Sequence, residues 1–134
     1  TAIIAWLAKY NAPMLEIKFN DELIQSETFL AAMGNGAYAG NGLGLNPQSS
    51  ADDGMIGLSI IGNVGVVDFL KYQSALKRCE YVKDHRVSYH KTTEVFIKVL
   101  EGTLPIETDG EFCARLNEGE HLCVQLLPSA LKVV

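Results

Sequence analysis

Hydrophobic and polar residues alternate along parts of this chain in the way that is typical of half-buried β-strands. The clearest case is the segment from Leu15 to Phe19, in which apolar residues alternate with Glu16 and Lys18. A polar turn over 20–22 follows, and a returning strand is predicted from Leu23 onward. These features together predict a β-hairpin.

Several later segments also carry strand patterns. Residues 55–61 form an almost continuous apolar run, and residues 86–102 are rich in β-branched and aromatic side chains. A second hairpin is predicted around Asp109-Gly110, because this dipeptide suits a tight turn between strands. A last strand is predicted near the C-terminus, with a break at Pro128. Between 34 and 54 a glycine-rich loop is predicted, with a short strand around 43–45.

One segment after Ile61 changes from strand to helical spacing, and Asn63 is the predicted N-cap. The residues that predict a shared helix face are Val66, Val67, Phe69, Leu70 and Ser74. The sum of these elements is mainly β. It predicts a two-layer antiparallel β-sandwich with one or two helices.

Composition and charge narrow the class of protein. The 134 residues fit a single domain spanning 1–134, and 48% hydrophobic residues are enough for a core. The net charge of -5 argues against a nucleic-acid partner, which would need a basic surface. The cations around Lys71 and Lys77 are interspersed with acids, which predicts a solvated helix face. Three cysteines without a C-x-x-C pair are typical of reduced thiols in a cytoplasmic protein.

Three carboxylates lie close together at the second predicted turn: Glu107, Asp109 and Glu111. Turn chemistry alone explains Asp109-Gly110, and carboxylates beside a tight turn are usually solvated. A turn tip that projects into a cleft could instead hold a general base within reach of a substrate proton. The sequence does not decide between these interpretations. The spacing of His85 and His90 falls within the loose range of zinc fingers, but no C-x-x-C pair precedes them, so a zinc site is not expected and both are predicted to lie on the surface.

A set of short motifs, in order, resembles the C-terminal domain of the diacylglycerol kinase-like lipid kinases, which include bacterial lipid kinases and sphingosine kinases. The residues that carry the resemblance are Asn35-Gly36, Gly40, Gly42, Pro47, Asp52-Asp53-Gly54 and Asp109-Gly110-Glu111. One departure is Asn41, which stands where the family often has a glycine.

The resemblance implies a role for each motif. Either Asp109 or Glu111 would be the base that deprotonates a lipid hydroxyl. The glycine-rich loop would line the lipid cleft, with Asn35, Gly36, Gly40 and Gly42 as its substrate-binding residues. A structural Mg²⁺ would be held by the Asp53 carboxylate and by main-chain carbonyl groups of Ser50 and Met55.

The resemblance also implies a second, ATP-binding domain that is not part of this chain. The family binds ATP mainly in a separate N-terminal domain with a G-G-D-G-T loop, and this chain has no such loop. The chain begins at Thr1, so we expect the acceptor-side domain of a longer kinase, inactive by itself. It would be cytoplasmic and act on lipid at the membrane surface, and an exposed sheet edge would favour a homodimer. The alternatives are a non-catalytic β-module that binds a lipid or protein partner, and a NAD kinase-type domain.

Overall fold

A computed structural model of the chain describes residues 2–6, 12–34, 44–49, 54–108, 111–127 and 130–133. Within these ranges only the backbone is described at 2–6, 66, 108, 111–112, 126–127 and 130–133. The described residues form these elements: β1 Ala2–Trp6, β2 Met14–Phe19, β3 Glu22–Glu27, β4 Leu30–Gly34, β5 Ile56–Ile61, α1 Val66–Lys77, β6 Val87–Thr92, β7 Glu94–Glu101, β8 Leu104–Thr108, β9 Glu111–Leu116, β10 His121–Leu127 and β11 Ala130–Val133.

The strands form two antiparallel sheets, as predicted. One has six strands in the order β6-β5-β4-β1-β8-β9, and the other has five in the order β11-β10-β7-β2-β3. Apolar side chains of both sheets meet in one buried core. Its largest fully buried members are Phe19, Leu15, Ile17, Met33, Ile56, Leu58, Ile97 and Leu104. Burial of this alternating apolar set is what stabilises the β-sandwich.

The first predicted hairpin is confirmed with a one-residue change at its turn. β2 and β3 pair from Phe19↔Glu22 to Met14↔Glu27, so the returning strand begins at Glu22. Asn20 takes the left-handed conformation (φ 52°), which asparagine tolerates better than most residues. Its side-chain amide donates to the carbonyl oxygen of Lys91 at 3.1 Å. That bond ties the turn of the five-stranded sheet to the edge of the six-stranded sheet.

Helix α1 forms where it was predicted, but two details of the prediction were wrong. Its N-cap is Gly65, whose N–H donates to the carboxylate of Asp68 at 3.4 Å, and Asn63 lies exposed outside the helix. Val67 and Leu70 face solvent, whereas Phe69 and Leu76 are buried. The helix has apolar residues on both sides, so spacing alone could not identify the buried one.

The buried side of α1 adds a third layer to the molecule. It packs on the face of the six-stranded sheet that points away from the other sheet. We call this second buried cluster the helix–sheet cluster. Its members are Leu30, Ala32, Leu45, Ile61, Val64, Phe69, Leu76 and Val82. In the part of the chain that the structure describes, no helix has the length and apolar character needed to cross a bilayer.

The remaining strand predictions are largely confirmed. The strands β10 and β11 end and begin on either side of the predicted break and pair with each other, and Pro128 itself lies outside the described residues. The short strand predicted around 43–45 is not observed at 44–45, where the N–H of Gly44 donates to the carbonyl oxygen of Leu76 in α1 rather than to a neighbouring strand. Residue 43 lies outside the described residues. Cys113 is exposed on the edge strand β9.

Candidate functional site

The β8–β9 hairpin carries the acidic turn. The two strands pair antiparallel, and Thr108↔Glu111 is the last pair before the turn, with a register shift between Ile106 and Glu107. The predicted hairpin is therefore confirmed in its strands. Asp109 and Gly110 lie outside the described residues, and Glu111 is described only as the first backbone position of β9. The carboxylates of Asp109 and Glu111 remain predicted site groups.

The glycine-rich segment begins where β4 ends. Gly34 is paired on both sides, with Ala2 of β1 and with Gly57 of β5. The predicted substrate-binding residues, Asn35, Gly36, Gly40 and Gly42, lie outside the described residues. The described chain resumes at Gly44.

Gly44 contacts the C-terminal end of α1. Its N–H donates to the carbonyl oxygen of Leu76 at 2.7 Å, so it satisfies one of the last carbonyl groups of the helix. A Cβ atom added to Gly44 would lie 2.5 Å from Cys79 Cα, so only glycine fits here. Cys79 follows the helix in the left-handed conformation (φ 55°). Its N–H donates to Leu76, and the N–H of Glu80 donates to Ala75, as in a Schellman motif.

The Asp-Asp-Gly segment leads into β5. Gly54 has a left-handed φ of 66°, which favours glycine, and Met55 precedes the first strand residue Ile56. Of the predicted Mg²⁺ ligands, Ser50 and Asp53 lie outside the described residues, and Met55 is half-buried. Among the described side chains, no cluster of three or more His, Cys, Asp or Glu residues could hold a metal ion.

The strand register brings the three segments to one end of the six-stranded sheet. Gly57 at the start of β5 pairs with Gly34 at the end of β4, and Gly34 also pairs with Ala2. The next residue of β1, Ile3, pairs with Thr108 at the end of β8. Adjacent strands lie about 4.8 Å apart, so β5 and β8, three spacings apart, are separated by ~14 Å at this end. We call this end of the sheet the motif end.

A buried polar cluster that the sequence did not reveal lies behind the motif end. Asn46 is only 1% exposed, and its side-chain oxygen accepts a 2.6 Å hydrogen bond from Ser59 Oγ. The amide of Gln48 donates toward the carbonyl oxygen of His90 at 3.1 Å. Ser49 Oγ donates to the carbonyl oxygen of Gly34 at 3.3 Å. The segment after the glycine-rich loop is therefore fixed to β4, β5 and β6 at that end, where the sequence pattern had predicted only a loop.

The histidines occupy two kinds of environment. The side chain of His85 is 91% exposed, as predicted. His90 was predicted on the surface, but it pairs with Leu58 on β5, which turns it toward the core, where its ring packs 4.5 Å from that of Phe19. Its Nε2 atom is buried and has no hydrogen-bond partner among the residues that the structure describes. Burial lowers the pKa of His90, although Glu22 opposes this shift.

The comparisons with known proteins agree with this fold. The family model of the YegS C-terminal NAD kinase beta sandwich-like domain matches residues 1–134. A diacylglycerol kinase of Bacillus subtilis (strain 168) is 29% identical over 98 residues, which are 73% of this chain and 32% of that protein. The chain therefore spans about a third of this curated relative.

Solved structures from Bacillus anthracis str. Sterne share the fold. A diacylglycerol kinase superposes with a TM-score of 0.62 at 14% identity and covers 89% of this chain and 47% of its own. A candidate diacylglycerol kinase gives a TM-score of 0.60 at 19% identity and covers 89% of this chain and 40% of its own. At these identities the likeness establishes the fold alone.

Proposed function

Because the chain belongs to the family of YegS C-terminal NAD kinase β-sandwich-like domains, as the C-terminal domain of a diacylglycerol kinase-like protein, we propose that it is the acceptor-side domain of an ATP-dependent lipid kinase. The acceptor would be a lipid hydroxyl of the diacylglycerol or sphingoid type. The curated relative named diacylglycerol kinase supports this choice of reaction.

The observation that carries the proposal is the shared position of the three motif segments. The strands that precede or follow them end together at the motif end, although they are distant in sequence. Phosphoryl transfer is mainly a problem of positioning, so the acceptor-binding loop and the base must lie close together. A set of loops at one sheet end meets that requirement, and scattered loops would not.

In the proposed reaction, a carboxylate of the acidic turn acts as a general base. Asp109 or Glu111 accepts the proton of the lipid hydroxyl while the hydroxyl oxygen forms a bond to the γ-phosphorus of ATP. The bond from that phosphorus to the β–γ bridging oxygen breaks, and ADP leaves. Asn35 and the loop glycines Gly36, Gly40 and Gly42 would bind the acceptor, since glycine lets the backbone approach a ligand closely.

Other parts of the protein would bind the nucleotide and the metal ion. ATP would be held mainly by an N-terminal ATP-binding domain of the same protein, which is the principal partner we propose. A structural Mg²⁺ would be held by Asp53 together with main-chain oxygens of Ser50 and Met55, and such an all-oxygen donor set suits this hard cation. Its proposed task is to fix the conformation of the loop before β5.

The test uses the product of the complete reading frame. Its upstream sequence should contain G-G-D-G-T, whereas an upstream sequence without it would favour the non-catalytic module. Lipid phosphorylation is then measured for Asp109→Asn and Glu111→Gln, with Asp21→Asn in the exposed β2–β3 turn as a matched control. We expect at least one of the first two variants to lose roughly 100-fold or more of its turnover. Its melting temperature should stay close to that of the unmodified protein.

Full activity in both Asp109→Asn and Glu111→Gln would refute the assignment of the base. A loss of equal size in Asp21→Asn would show that the effect is not specific to the acidic turn. By calorimetry, the 134-residue chain alone should bind ATP only weakly. Tight binding of ATP to that chain would contradict the proposal that a separate N-terminal domain holds the nucleotide.

A further inference from the structure

The exposed side of α1 has an unusual composition. Val67 and Leu70 are 66% and 61% exposed, although they are large aliphatic residues one turn apart. They share one side of the helix with cations, because residues three, four and seven positions apart are neighbours on a helix surface. We call this side the α1 outer face, and its exposed residues are Val67, Leu70, Lys71, Ser74, Lys77 and Arg78.

Packing inside the domain does not account for this face. The opposite side of α1 already fills the helix–sheet cluster through Phe69 and Leu76, with Tyr72 packed against it. Isolated exposed apolar residues are normal, but neighbouring ones on an otherwise polar surface indicate a contact site. The α1 outer face therefore has apolar surface available to a partner.

The charge of the face is opposite to that of the whole chain. The chain carries a net charge of -5, yet the α1 outer face has three cations and no acid. Arg78 is paired with Glu80 at 2.5 Å. Lys71 and Lys77 have no carboxylate within salt-bridge distance among the described residues.

The acids near α1 are already engaged. Arg86 holds Asp84 at 2.8 Å and Asp68 at 3.5 Å. The hydrogen bonds that Arg86 and then Tyr72 donate to Asp84 hold the pKa of that carboxyl well below its usual range. Burial, and then the hydrogen bond to Asp84, raises the pKa of Tyr72 to about 12. These acids therefore do not neutralise the lysines of the outer face.

We propose that the α1 outer face docks the protein onto an anionic phospholipid surface. Val67 and Leu70 would enter the boundary between headgroups and acyl chains, and Lys71 and Lys77 would extend toward lipid phosphates. Aliphatic residues flanked by unpaired lysines fit this partner, because an anionic bilayer has negatively charged headgroups above an apolar acyl-chain region. This inference rests on the proposed function, because docking would bring a lipid kinase to its substrate. Binding to the lipid surface can nevertheless be measured without catalytic turnover.

The test is sedimentation of the full chain with vesicles, without nucleotide. One set contains phosphatidylcholine alone, and the other contains equal parts of phosphatidylcholine and phosphatidylglycerol. We expect binding to the second set, and weaker binding as salt screens the charges. Each lysine near an anionic surface contributes about fivefold in affinity, so Lys71→Glu/Lys77→Glu should weaken binding at least ~25-fold. Val67→Ala/Leu70→Ala should weaken it by at least about tenfold and preserve the helix, since alanine is the best helix former.

The matched control lies on the outer face of the five-stranded sheet. Lys18→Glu/Lys98→Glu makes the same change in charge at two exposed positions beside Phe96, which is 44% exposed. If this control binds the anionic vesicles within about twofold of the unmodified chain, the result supports the α1 outer face as the docking surface. The proposal is overturned if this control loses as much affinity as Lys71→Glu/Lys77→Glu, or if the chain binds neither vesicle set. Inactive variants at Asp109 or Glu111 should bind vesicles normally, so the two proposals can fail independently.

Discussion

Gly44→Ala tests how the glycine-rich segment is anchored. The added Cβ would lie 2.5 Å from Cys79 Cα and 2.7 Å from Cys79 Sγ, and the first of these atoms is main chain. Carbon atoms pack well at about 3.5–4.0 Å, so the two segments would have to separate by roughly 1 Å. That movement would also stretch the 2.7 Å bond from the N–H of Gly44 to Leu76 beyond useful length.

The expected loss of stability follows from these two effects. Overpacking costs about 1–3 kcal/mol and the lost hydrogen bond costs about 1 kcal/mol, so Gly44→Ala should lower the free energy of unfolding by ~2–4 kcal/mol. Unfolding entropy of about 2.1 cal/mol/K per residue over 134 residues converts this to a melting temperature ~7–14 °C lower.

Thermal denaturation followed by circular dichroism measures this shift, and Gly65→Ala is the matched control. A Cβ at Gly65 would lie 3.9 Å from its nearest neighbour, and its φ of -80° is open to alanine. As an N-cap change it should cost no more than about 1 kcal/mol. If Gly44→Ala melts as the control does, the anchoring of the loop to Cys79 is wrong.

Three further predictions concern helix α1, the left-handed residue that follows it, and the inward-facing His90. Leu76→Ala should lower the free energy of unfolding by about 2–5 kcal/mol in urea titrations, because Leu76 is buried, whereas Leu70→Ala should change it by less than about 0.5 kcal/mol. Cys79→Gly should raise it by up to ~1 kcal/mol, because glycine adopts the left-handed φ without strain; destabilisation would show that the thiol packing outweighs that strain. Since burial lowers the pKa of His90 from 6.5, the unfolded chain binds that proton first, and stability should fall as the pH drops below 6.5 toward the folded pKa. Melting temperatures across this range should fall less steeply for His90→Gln, and an unchanged slope, or an equal change in His85→Gln, would refute this cause.

Local patterns predicted the elements that local interactions determine. The alternation around Ile17 and the polar turn at Asn20 lie within a few residues of each other, so the β2–β3 hairpin could be predicted. The acidic hairpin was found in the same way, through the turn preference of Asp109-Gly110 and the strands that flank it. In both cases the pairing partners are neighbours in the sequence, which is why the hairpins could be predicted, although the start of β3 and the register shift between Ile106 and Glu107 could not.

Features that depend on distant pairing could not be predicted. His90 follows a polar stretch, and only its register against Leu58 shows that its ring points inward. The motif end requires β1 to lie between β4 and β8, and no local pattern specifies that neighbour relationship. The resemblance to lipid kinases identified the motif residues in order along the chain. The fold then showed that the strand ends flanking these motifs lie at one end of the sheet.

Helix α1 links the two proposals physically. It begins after the end of β5 that is opposite the motif end, and its last turn holds Gly44 through the carbonyl group of Leu76. Twelve residues of helix span about 18 Å, and the last turn of this rigid element contacts the chain where it resumes after the glycine-rich segment. If the α1 outer face rests on a bilayer, Gly44 is held at a fixed distance from that surface. A lipid acceptor would then meet the glycine-rich segment without the protein having to extract it far from the membrane.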